Sequence, residues 1–351
     1  MPAVQESALL EALKTVVDPH TGRDFVSGKQ VKNLRIDGGD VSFEVELGYP
    51  GRSQEPGFRK ALVAAAKTVP GVENVSVQIA TRIIAHAVQR GVALLPGVKN
   101  IIAVASGKGG VGKSTTTANL ALALAAEGAS VGILDADIYG PSQPMMMGIT
   151  GQPESTDGKT MQPMENHGVQ VMSIGFMVQP DQAMIWRGPM ATQALDQLLR
   201  QTNWRDLDYL LVDMPPGTGD VAISLGQLLP RAEAVIVTTP QPAAQEVAVR
   251  AAIMAQKTGM RITGVIENMS YLVGTGQELF GSGGGQALAA EIDAPLLGKI
   301  PLDPALREAA DAGTPITEAA PESEVALAIG AVADELRARR PHGIRKALTV
   351  L

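Results

Sequence analysis

Residues 107–114 read Gly-Lys-Gly-Gly-Val-Gly-Lys-Ser and fit the phosphate-binding pattern G-x-x-x-x-G-K-[ST]. An aliphatic run at 101–105 predicts a strand before this stretch, and residues 113–127 have the pattern of a helix after it. Glycines let backbone N–H groups turn toward an anion, and a helix N-terminus adds a favourable dipole. The sequence therefore predicts a phosphate-binding loop between a strand and a helix.

The last two residues of this loop carry its chemistry. The Lys113 ammonium is expected to neutralise the β- and γ-phosphates during catalysis, and the Ser114 hydroxyl is expected to bind Mg²⁺. The loop backbone and the first helical turn are expected to surround the phosphates, which makes ATP and Mg²⁺ the expected ligands. The predicted nucleotide-binding residues of this segment are Gly107, Lys108, Gly109, Gly110, Val111, Gly112, Lys113, Ser114 and Thr115.

The same glycines allow a competing interpretation. Gly107, Gly109 and Gly112 also match the dinucleotide pattern G-x-G-x-x-G, and Asp135 ends the next predicted strand, where a ribose-binding acid would lie. An NAD-binding oxidoreductase is therefore a second hypothesis. The Lys-Ser pair that closes the loop has no task in a dinucleotide fold, so we favour the ATPase.

Two acidic loops follow later strands. Asp137 comes just after the strand that ends at Asp135, and a carboxylate there is expected to orient or activate the attacking water. Asp213 ends the aliphatic run at 209–212, and it is expected to hold a water bound to magnesium. The glycine-rich stretch at 215–219 is typical of a loop that rearranges around a γ-phosphate. A capping or turn role is the alternative for each carboxylate.

Short aliphatic runs alternate with helical patterns from residue 100 onward. This alternation predicts an α/β fold, with a mostly parallel sheet flanked by helices. Ligands of such sheets bind at the carboxyl ends of the strands, where the phosphate loop and both acidic loops lie. The predicted strands are 101–105, 131–134, 171–174, 209–212, 234–238, 262–266 and 296–300, and the predicted helices are 113–127, 189–201, 243–258, 286–291 and 323–339.

The first part of the chain has a different pattern. A predicted helix over 5–16 precedes two alternating runs, 31–36 and 41–47, which Asp-Gly-Gly-Asp joins as a hairpin. A helix over 57–68 and a strand over 75–79 complete a small α+β unit. We therefore predict a small α+β domain at 1–85, a linker at 86–98 and a P-loop ATPase domain at 99–351.

Charge and composition limit the expected partners. The formal net charge is −7, the pI is about 5.2, and Lys/Arg residues cluster only near the end, so we expect no nucleic-acid partner. The sequence contains neither the ~20 apolar residues of a membrane span nor a secretory signal, so we expect a cytoplasmic protein with no membrane partner. The chain has no cysteine, which excludes disulfides and thiolate ligands of its own.

Several motifs together resemble one family. The loop with its extra Lys108 resembles the deviant Walker A loop of the MinD, ParA and nitrogenase iron-protein ATPases. Asp-Ala-Asp-Ile-Tyr-Gly-Pro-Ser at 135–142, Asp-Met-Pro-Pro-Gly-Thr-Gly-Asp at 213–220 and Glu-Asn-Met-Ser-Tyr at 267–271 resemble the Mrp/ApbC group, which is implicated in iron–sulfur cluster assembly and carriage. The N-terminal unit, with Val-Asp-Pro at 17–19, is similar to the small domain often fused ahead of that ATPase.

The resemblance implies further roles. Lys108 would reach across a dimer interface to the partner's nucleotide and act as a catalytic cation, as an arginine finger does, so hydrolysis is expected in a homodimer. Asn268 would bind the adenine edge, because its amide offers donors and an acceptor. Hydrolysis would be coupled to cluster maturation of client apo-proteins, with assembly factors as further partners. A partner-switching ATPase of the MinD/ParA kind, without a cluster role, is the alternative.

The chain departs from this group at the cluster ligands. The group typically carries a C-x-x-C pair after the Asn-Met-Ser-Tyr run, and one pair per subunit would hold a [4Fe–4S] cluster across the dimer. Here residues 272–280 read Leu-Val-Gly-Thr-Gly-Gln-Glu-Leu-Phe, and the four histidines lie elsewhere. The cluster is therefore implied by the family alone. Either the protein acts in assembly without carrying it, or a partner or small thiol supplies ligands, or the role has changed.

Overall fold

The computed structural model describes residues 4–89, 95–177, 188–229 and 231–337. These residues form two compact units. The first contains residues up to 83 together with those from 334, and the second contains residues 84–333. No helix in the described ranges is long and apolar enough to cross a bilayer.

The first unit is a small α+β fold. Its three-stranded sheet has the order β3-β4-β5, in which β4 pairs antiparallel with β3 and parallel with β5. The predicted hairpin is present, with Asp37 paired to Asp40 across two glycines. Buried Leu9, Phe43 and Leu62 belong to one core between the helices and the sheet. The elements are α1 (Glu6–Leu13), β1 (Val17–Asp18), β2 (Arg23–Asp24), β3 (Val31–Asp37), β4 (Asp40–Leu47), α2 (Glu55–Ala66) and β5 (Asn74–Thr81).

The second unit contains an eight-stranded sheet within its described residues, in the order β13-β12-β11-β6-β10-β7-β9-β8. All neighbouring pairs are parallel except the edge pair of β8 with β9. The strands are β6 (Val98–Ser106), β7 (Val131–Asp135), β8 (Met164–Asn166), β9 (Val169–Ser173), β10 (Leu207–Asp213), β11 (Glu233–Thr238), β12 (Arg261–Leu272) and β13 (Leu296–Leu302). The expected mostly parallel α/β sheet is confirmed.

Helices connect and flank these strands. They are α3 (Lys113–Ala126), α4 (Gln143–Met146), α5 (Gly188–Gln201), α6 (Asp220–Leu228), α7 (Pro242–Lys257), α8 (Gly284–Glu291), α9 (Pro304–Asp311), α10 (Ile316–Ala319) and α11 (Glu324–Arg337). Strands β7, β10 and β11 are buried along their whole length. Continuous aliphatic strands of this kind are typical of parallel sheets covered on both faces, and they place the carboxyl ends of β6, β7 and β10 side by side.

The described residues just before β6 contact the start of the sheet through polar side chains. The Gln89 side chain exchanges hydrogen bonds with the backbone of Ile101, at 2.9 and 2.8 Å, and His86 Nδ1 lies 2.5 Å from the buried Glu233 carboxylate. These polar side chains satisfy groups at the start of the sheet, so residues 84–89 belong to the second unit. Residues 90–94 of the predicted linker lie outside the described residues.

Candidate functional site

The phosphate loop connects β6 to α3, as predicted. Gly110 and Gly112 have φ values of 79° and 82°, a left-handed conformation that favours glycine. A Cβ atom on Gly107 would lie 2.3 Å from the carbonyl carbon of Val247 in α7, so a side chain does not fit there. The glycines therefore serve two purposes, which are the turn of the loop and its close approach to a helix.

Lys113 is the first residue of α3, and its side chain is only 6% exposed. Its Nζ donates a hydrogen bond to the Ser114 hydroxyl at 3.2 Å and forms an ion pair with Oδ1 of Asp213. This pairing follows from the topology, since β6 and β10 are parallel neighbours and the loop after one meets the end of the other. The structure thus brings together three predicted site residues.

Asp213 is fully buried and has hydrogen-bond donors on both of its carboxylate oxygens. The Thr117 hydroxyl lies 3.4 Å from Oδ1, and the Gln143 side-chain amide donates to Oδ2 at 2.9 Å. A hydroxyl and a carboxylate are hard oxygen ligands of the type that Mg²⁺ prefers, and this ion takes its remaining ligands from waters and phosphates. Ser114 and Asp213 therefore fit the magnesium role expected of them.

Asp135 is the last residue of β7, beside the end of β10, and Asp137 lies in the loop that follows. Asp135 pairs in register with Asp213 and accepts hydrogen bonds from Ser142 N at 3.0 Å, Gln143 N at 3.1 Å and the Ser173 hydroxyl at 3.0 Å. Burial, and next the negative charge of Asp213, raise the pKa of Asp135 to about 7. Asp135 therefore anchors the acidic loop by hydrogen bonds.

Asp137 is half-buried and lies near the Lys113–Asp213 pair. Burial raises its pKa, while the positive charge of Lys113 opposes this increase and the charge of Asp213 adds to it. A carboxylate with a raised pKa accepts a proton more readily than an exposed aspartate does. The environment of Asp137 is therefore suited to a group that handles a water molecule.

The glycine-rich loop after β10 lies against the end of β6. The Gly217 N–H donates to the Ser106 carbonyl at 2.9 Å, and Gly217 has a φ of 84°. A Cβ atom there would be 3.7 Å from the carbonyl oxygen of Gly107. This loop thus touches both the strand and the phosphate loop, and it can respond to what the phosphate loop binds.

Asn268 contacts the phosphate loop directly. Its side chain is buried in β12, and Nδ2 donates to the Val111 carbonyl at 2.8 Å. A Cβ atom on Gly112 would lie 2.2 Å from the same nitrogen. Asn268 therefore supports the loop backbone, a role that the sequence did not suggest. The carboxylate of the preceding Glu267 accepts hydrogen bonds from Ser270 Oγ at 2.9 Å and Gly285 N at 2.6 Å.

The remaining predicted residues lie at the rim of the site. Lys108 and Gly109 are exposed at the turn of the loop, where the Ser106 hydroxyl donates to the Lys108 carbonyl at 3.0 Å. Thr115 is half-buried, with Oγ1 4.0 Å from the sulfur of Met146. The sequence prediction missed Gln143, Thr117 and Ser173, because a lone glutamine or hydroxyl has no motif and becomes recognisable only when the strand ends meet.

The segment after β12 contains no cluster ligands. Residues 273–280 form turns that begin where β12 pairs with Leu302 of β13, and Leu279 is exposed there. The chain has no cysteine, and the described residues contain no group of three or more His, Asp or Glu side chains arranged to hold a metal ion. The protein's own side chains therefore do not fit an iron–sulfur cluster, which binds overwhelmingly through thiolates.

Two family models match separate parts of the chain. The family model of NUBPL iron-transfer P-loop NTPases matches residues 97–337, and a model of iron–sulfur cluster assembly proteins matches residues 6–79. An iron–sulfur cluster carrier protein of Synechocystis is 44% identical over 338 residues, covering 94% of this chain and 96% of the relative. The corresponding protein of Mycobacterium tuberculosis is 42% identical over 357 residues, covering 95% and 93%.

Solved structures give the same fold. A nucleotide-binding protein from Archaeoglobus fulgidus in complex with ADP is 37% identical, with a TM-score of 0.53 over 62% of this chain and 87% of that chain. The cell division ATPase MinD of Pyrococcus furiosus is 27% identical, with a TM-score of 0.53 over 68% and 98%.

These findings decide between the hypotheses from the sequence. The dinucleotide hypothesis leaves Lys113 and Ser114 without a task, whereas in the structure both belong to one polar cluster with Asp213. The relatives that span nearly the whole chain are cluster carriers, which favours the cluster role over the MinD/ParA-like alternative. The resemblance inferred from the motifs is confirmed. By the match over residues 97–337 and the identity to these relatives, the chain belongs to the family of NUBPL iron-transfer P-loop NTPases.

Proposed function

We propose that the protein is a Mg²⁺-dependent ATPase that acts in the maturation of iron–sulfur proteins in the cytoplasm. The observation that carries the proposal is the convergence of Lys113, Ser114 and Asp213, beside Asp137. Phosphoryl transfer to water needs a cation for the phosphates, oxygen ligands for a divalent ion and a carboxylate for the water. These four side chains would supply each of these groups.

Ser114 would hold the magnesium ion directly, and Asp213 would hold it through a water. When bound, the ion supplies positive charge that stabilises the transferring phosphoryl group. Lys113 is paired with Asp213, and the phosphates of ATP compete for the same ammonium group. Binding of ATP is therefore expected to draw Lys113 toward the phosphates and to release one oxygen of Asp213.

Asp137 would orient the attacking water and accept its proton. The support is its place in the loop after β7, within the electrostatic influence of Lys113, and its raised pKa. Asp135 would act through this loop by holding its backbone.

Lys108 would act in a homodimer. Its ammonium group is exposed at the turn of the phosphate loop, where it is available to the nucleotide of a second copy. Asn268 would contact the adenine edge in addition to supporting Val111, because its amide retains an acceptor and a second N–H.

The iron–sulfur cluster would be a cargo of the reaction cycle. The support is the naming of the near full-length relatives as iron–sulfur cluster carriers. Because this chain has no cysteine, the thiolates would come from a client apo-protein, an assembly factor or a small thiol. ATP binding and hydrolysis would then control when this chain engages and releases that partner.

The test is ATP binding and turnover by the full chain and by Lys113→Ala. The variant loses the main cation of the loop, so we expect it to abolish measurable ATP binding. Titration of fluorescent ATP and release of inorganic phosphate measure the two steps. Wild-type affinity in Lys113→Ala would overturn the assignment of the phosphate loop, and binding of NAD in place of ATP would support the oxidoreductase instead.

A further inference from the structure

Gln143 occupies a central place in the site and has no role in the function proposed so far. It is the first residue of α4, and it is fully buried. Its Nε2 donates to the Ser114 carbonyl at 3.0 Å and to Oδ2 of Asp213 at 2.9 Å. Both partners are acceptors, so the amide nitrogen and not the oxygen must face them.

The oxygen of the same amide differs from its nitrogen in its contacts. Gln143 Oε1 is buried and accepts no hydrogen bond from the described residues. Leaving a buried acceptor unpaired is unfavourable, and folded proteins retain few such groups. An unpaired oxygen at this position is explained if a ligand of the site donates to it.

The residues that Gln143 connects are those proposed to hold magnesium. Lys113 and Thr117 both contact Oδ1 of Asp213, and within the described residues Gln143 is the donor to Oδ2. The backbone N–H of Gln143 donates a hydrogen bond to Oδ2 of Asp135 at 3.1 Å. Gln143 therefore fastens the acidic loop with its backbone and orients the magnesium-binding carboxylate with its side chain.

We propose that Gln143 is a positioning residue for the magnesium ion, with Nε2 orienting Asp213 and Oε1 accepting a hydrogen bond from a water of the ion. This inference rests on the proposed function and deepens it. A water bound to a divalent cation is a strong donor, which suits a buried carbonyl oxygen that accepts no hydrogen bond from the part of the chain that the structure describes. When Lys113 leaves Asp213 for the phosphates, the bond from Gln143 keeps the carboxylate in place.

The experiment compares nucleotide affinity with and without the ion. Fluorescent ADP is titrated into the full chain, Gln143→Leu and Gln143→Met, in excess EDTA and in saturating MgCl₂. We expect both variants to keep wild-type affinity in EDTA and to lose about tenfold or more of the tightening that Mg²⁺ gives, the factor for one hydrogen bond to a charged group. Paramagnetic resonance of Mn²⁺ counts the ion directly, and fewer bound Mn²⁺ ions per ADP are expected in the variants.

Gln170→Leu is the matched control. Gln170 is another buried glutamine, and its side chain exchanges hydrogen bonds with the backbone of Arg205, both at 3.1 Å. The Gln170→Leu substitution removes similar hydrogen bonds at a distance from the magnesium-binding residues. The increase in ADP affinity that Mg²⁺ gives this variant should therefore match that of wild type. The Met variant keeps an unbranched side chain in case the Leu variant folds poorly.

Three outcomes would overturn the inference. Full Mg²⁺-dependent tightening in both Gln143 variants would show that the ion does not depend on this residue. Equal weakening in EDTA and in MgCl₂ would make Gln143 a structural brace of the loop. A wild-type protein that binds no ADP under either condition would instead defeat the proposed function, and the inference with it.

Discussion

At the scale of single residues, the proposed binding group Lys113 and the proposed catalytic group Asp137 differ in their environments. Lys113 is almost fully buried in an ion pair, whereas Asp137 is half-buried and keeps a raised pKa. Removing the Lys113 side chain should lower the affinity for ATP, and removing the Asp137 side chain should lower the turnover. Asp135 at the end of β7 also differs from Asp137, because it accepts hydrogen bonds from Ser142, Gln143 and Ser173.

Asp137→Ala is expected to bind ATP with wild-type affinity and to lose turnover by at least about a hundredfold, the lower range for a positioned general base. Phosphate release under saturating ATP measures the loss. Asp196→Ala is a suitable control, because it removes an exposed carboxylate whose ion pair with Arg200 lies on the surface of α5. Unchanged turnover in Asp137→Ala would show that this residue only shapes the turn.

Asp135 should make stability depend on pH. Its pKa of about 7 lies above the ordinary aspartate pKa of 3.8, so at a pH between these values the folded protein retains a proton that the unfolded chain has lost. The stability contributed by this group is full below the unfolded pKa and is lost as the pH rises through about 7. Asp135→Asn remains neutral, so between about pH 4 and about pH 7 the melting temperature of wild type should fall relative to that of the variant. Melting curves in EDTA measure this difference, and parallel profiles would contradict it.

At the scale of elements, close approaches between backbones fix the site. Gly107 is pressed against Val247 in α7, while Gly109 in the same loop has no heavy atom within 4 Å of its added Cβ. Neither glycine has the left-handed φ found at Gly110 and Gly112. The two positions therefore form a matched pair that separates packing from backbone strain.

Gly107→Ala should destabilise the second unit by about 1–3 kcal/mol, the usual cost of overpacking. Gly109→Ala should change its stability by less than about 0.5 kcal/mol, as exposed substitutions do. Thermal unfolding measures both variants, and ADP titration shows whether the loop still binds. Equal melting temperatures for the two variants would show that α7 yields to the extra methyl group.

The sequence predicted most of the long strands and helices and missed several short ones. The strands at 131–134 and 209–212 were recognisable because buried parallel strands are unbroken aliphatic runs. Helix α6 followed a proline- and glycine-rich loop and was missed, and β8 is a three-residue edge strand with polar residues. The phosphate loop has a motif, but Gln143 and the support from Asn268 depend on contacts between distant elements.

At the scale of the whole molecule, the two family matches cover separate stretches of the chain. The assembly-protein model covers residues 6–79, and the NTPase model covers residues 97–337. The near full-length relatives contain equivalents of both stretches, since the alignments cover more than nine-tenths of each chain. The domain boundaries at 85 and 99 stay a prediction.

The absence of cysteine gives a prediction for the whole protein. Reconstituted anaerobically with iron and sulfide and then desalted, the pure chain should retain no iron, with or without ATP, while its ATPase activity remains. A double variant with Thr275→Cys and Glu278→Cys places a C-x-x-C pair at two exposed positions of the turn segment and should gain iron. Bound iron and visible absorbance are the measurements. Retention of about four iron atoms per dimer by the wild type would show that ligation does not need protein thiolates.

The pairing of Lys113 with Asp213 also affects which solutes compete for the site. An inorganic phosphate ion that binds the Lys113 ammonium leaves the buried Asp213 carboxylate without its counterion. A magnesium ion that binds near Asp213 without a nucleotide leaves the Lys113 ammonium without its counterion. A magnesium–nucleotide complex replaces both halves of the pair at once. We therefore expect orthophosphate alone and free magnesium alone to compete weakly with a magnesium–nucleotide complex, because each of them would replace only one half of the ion pair.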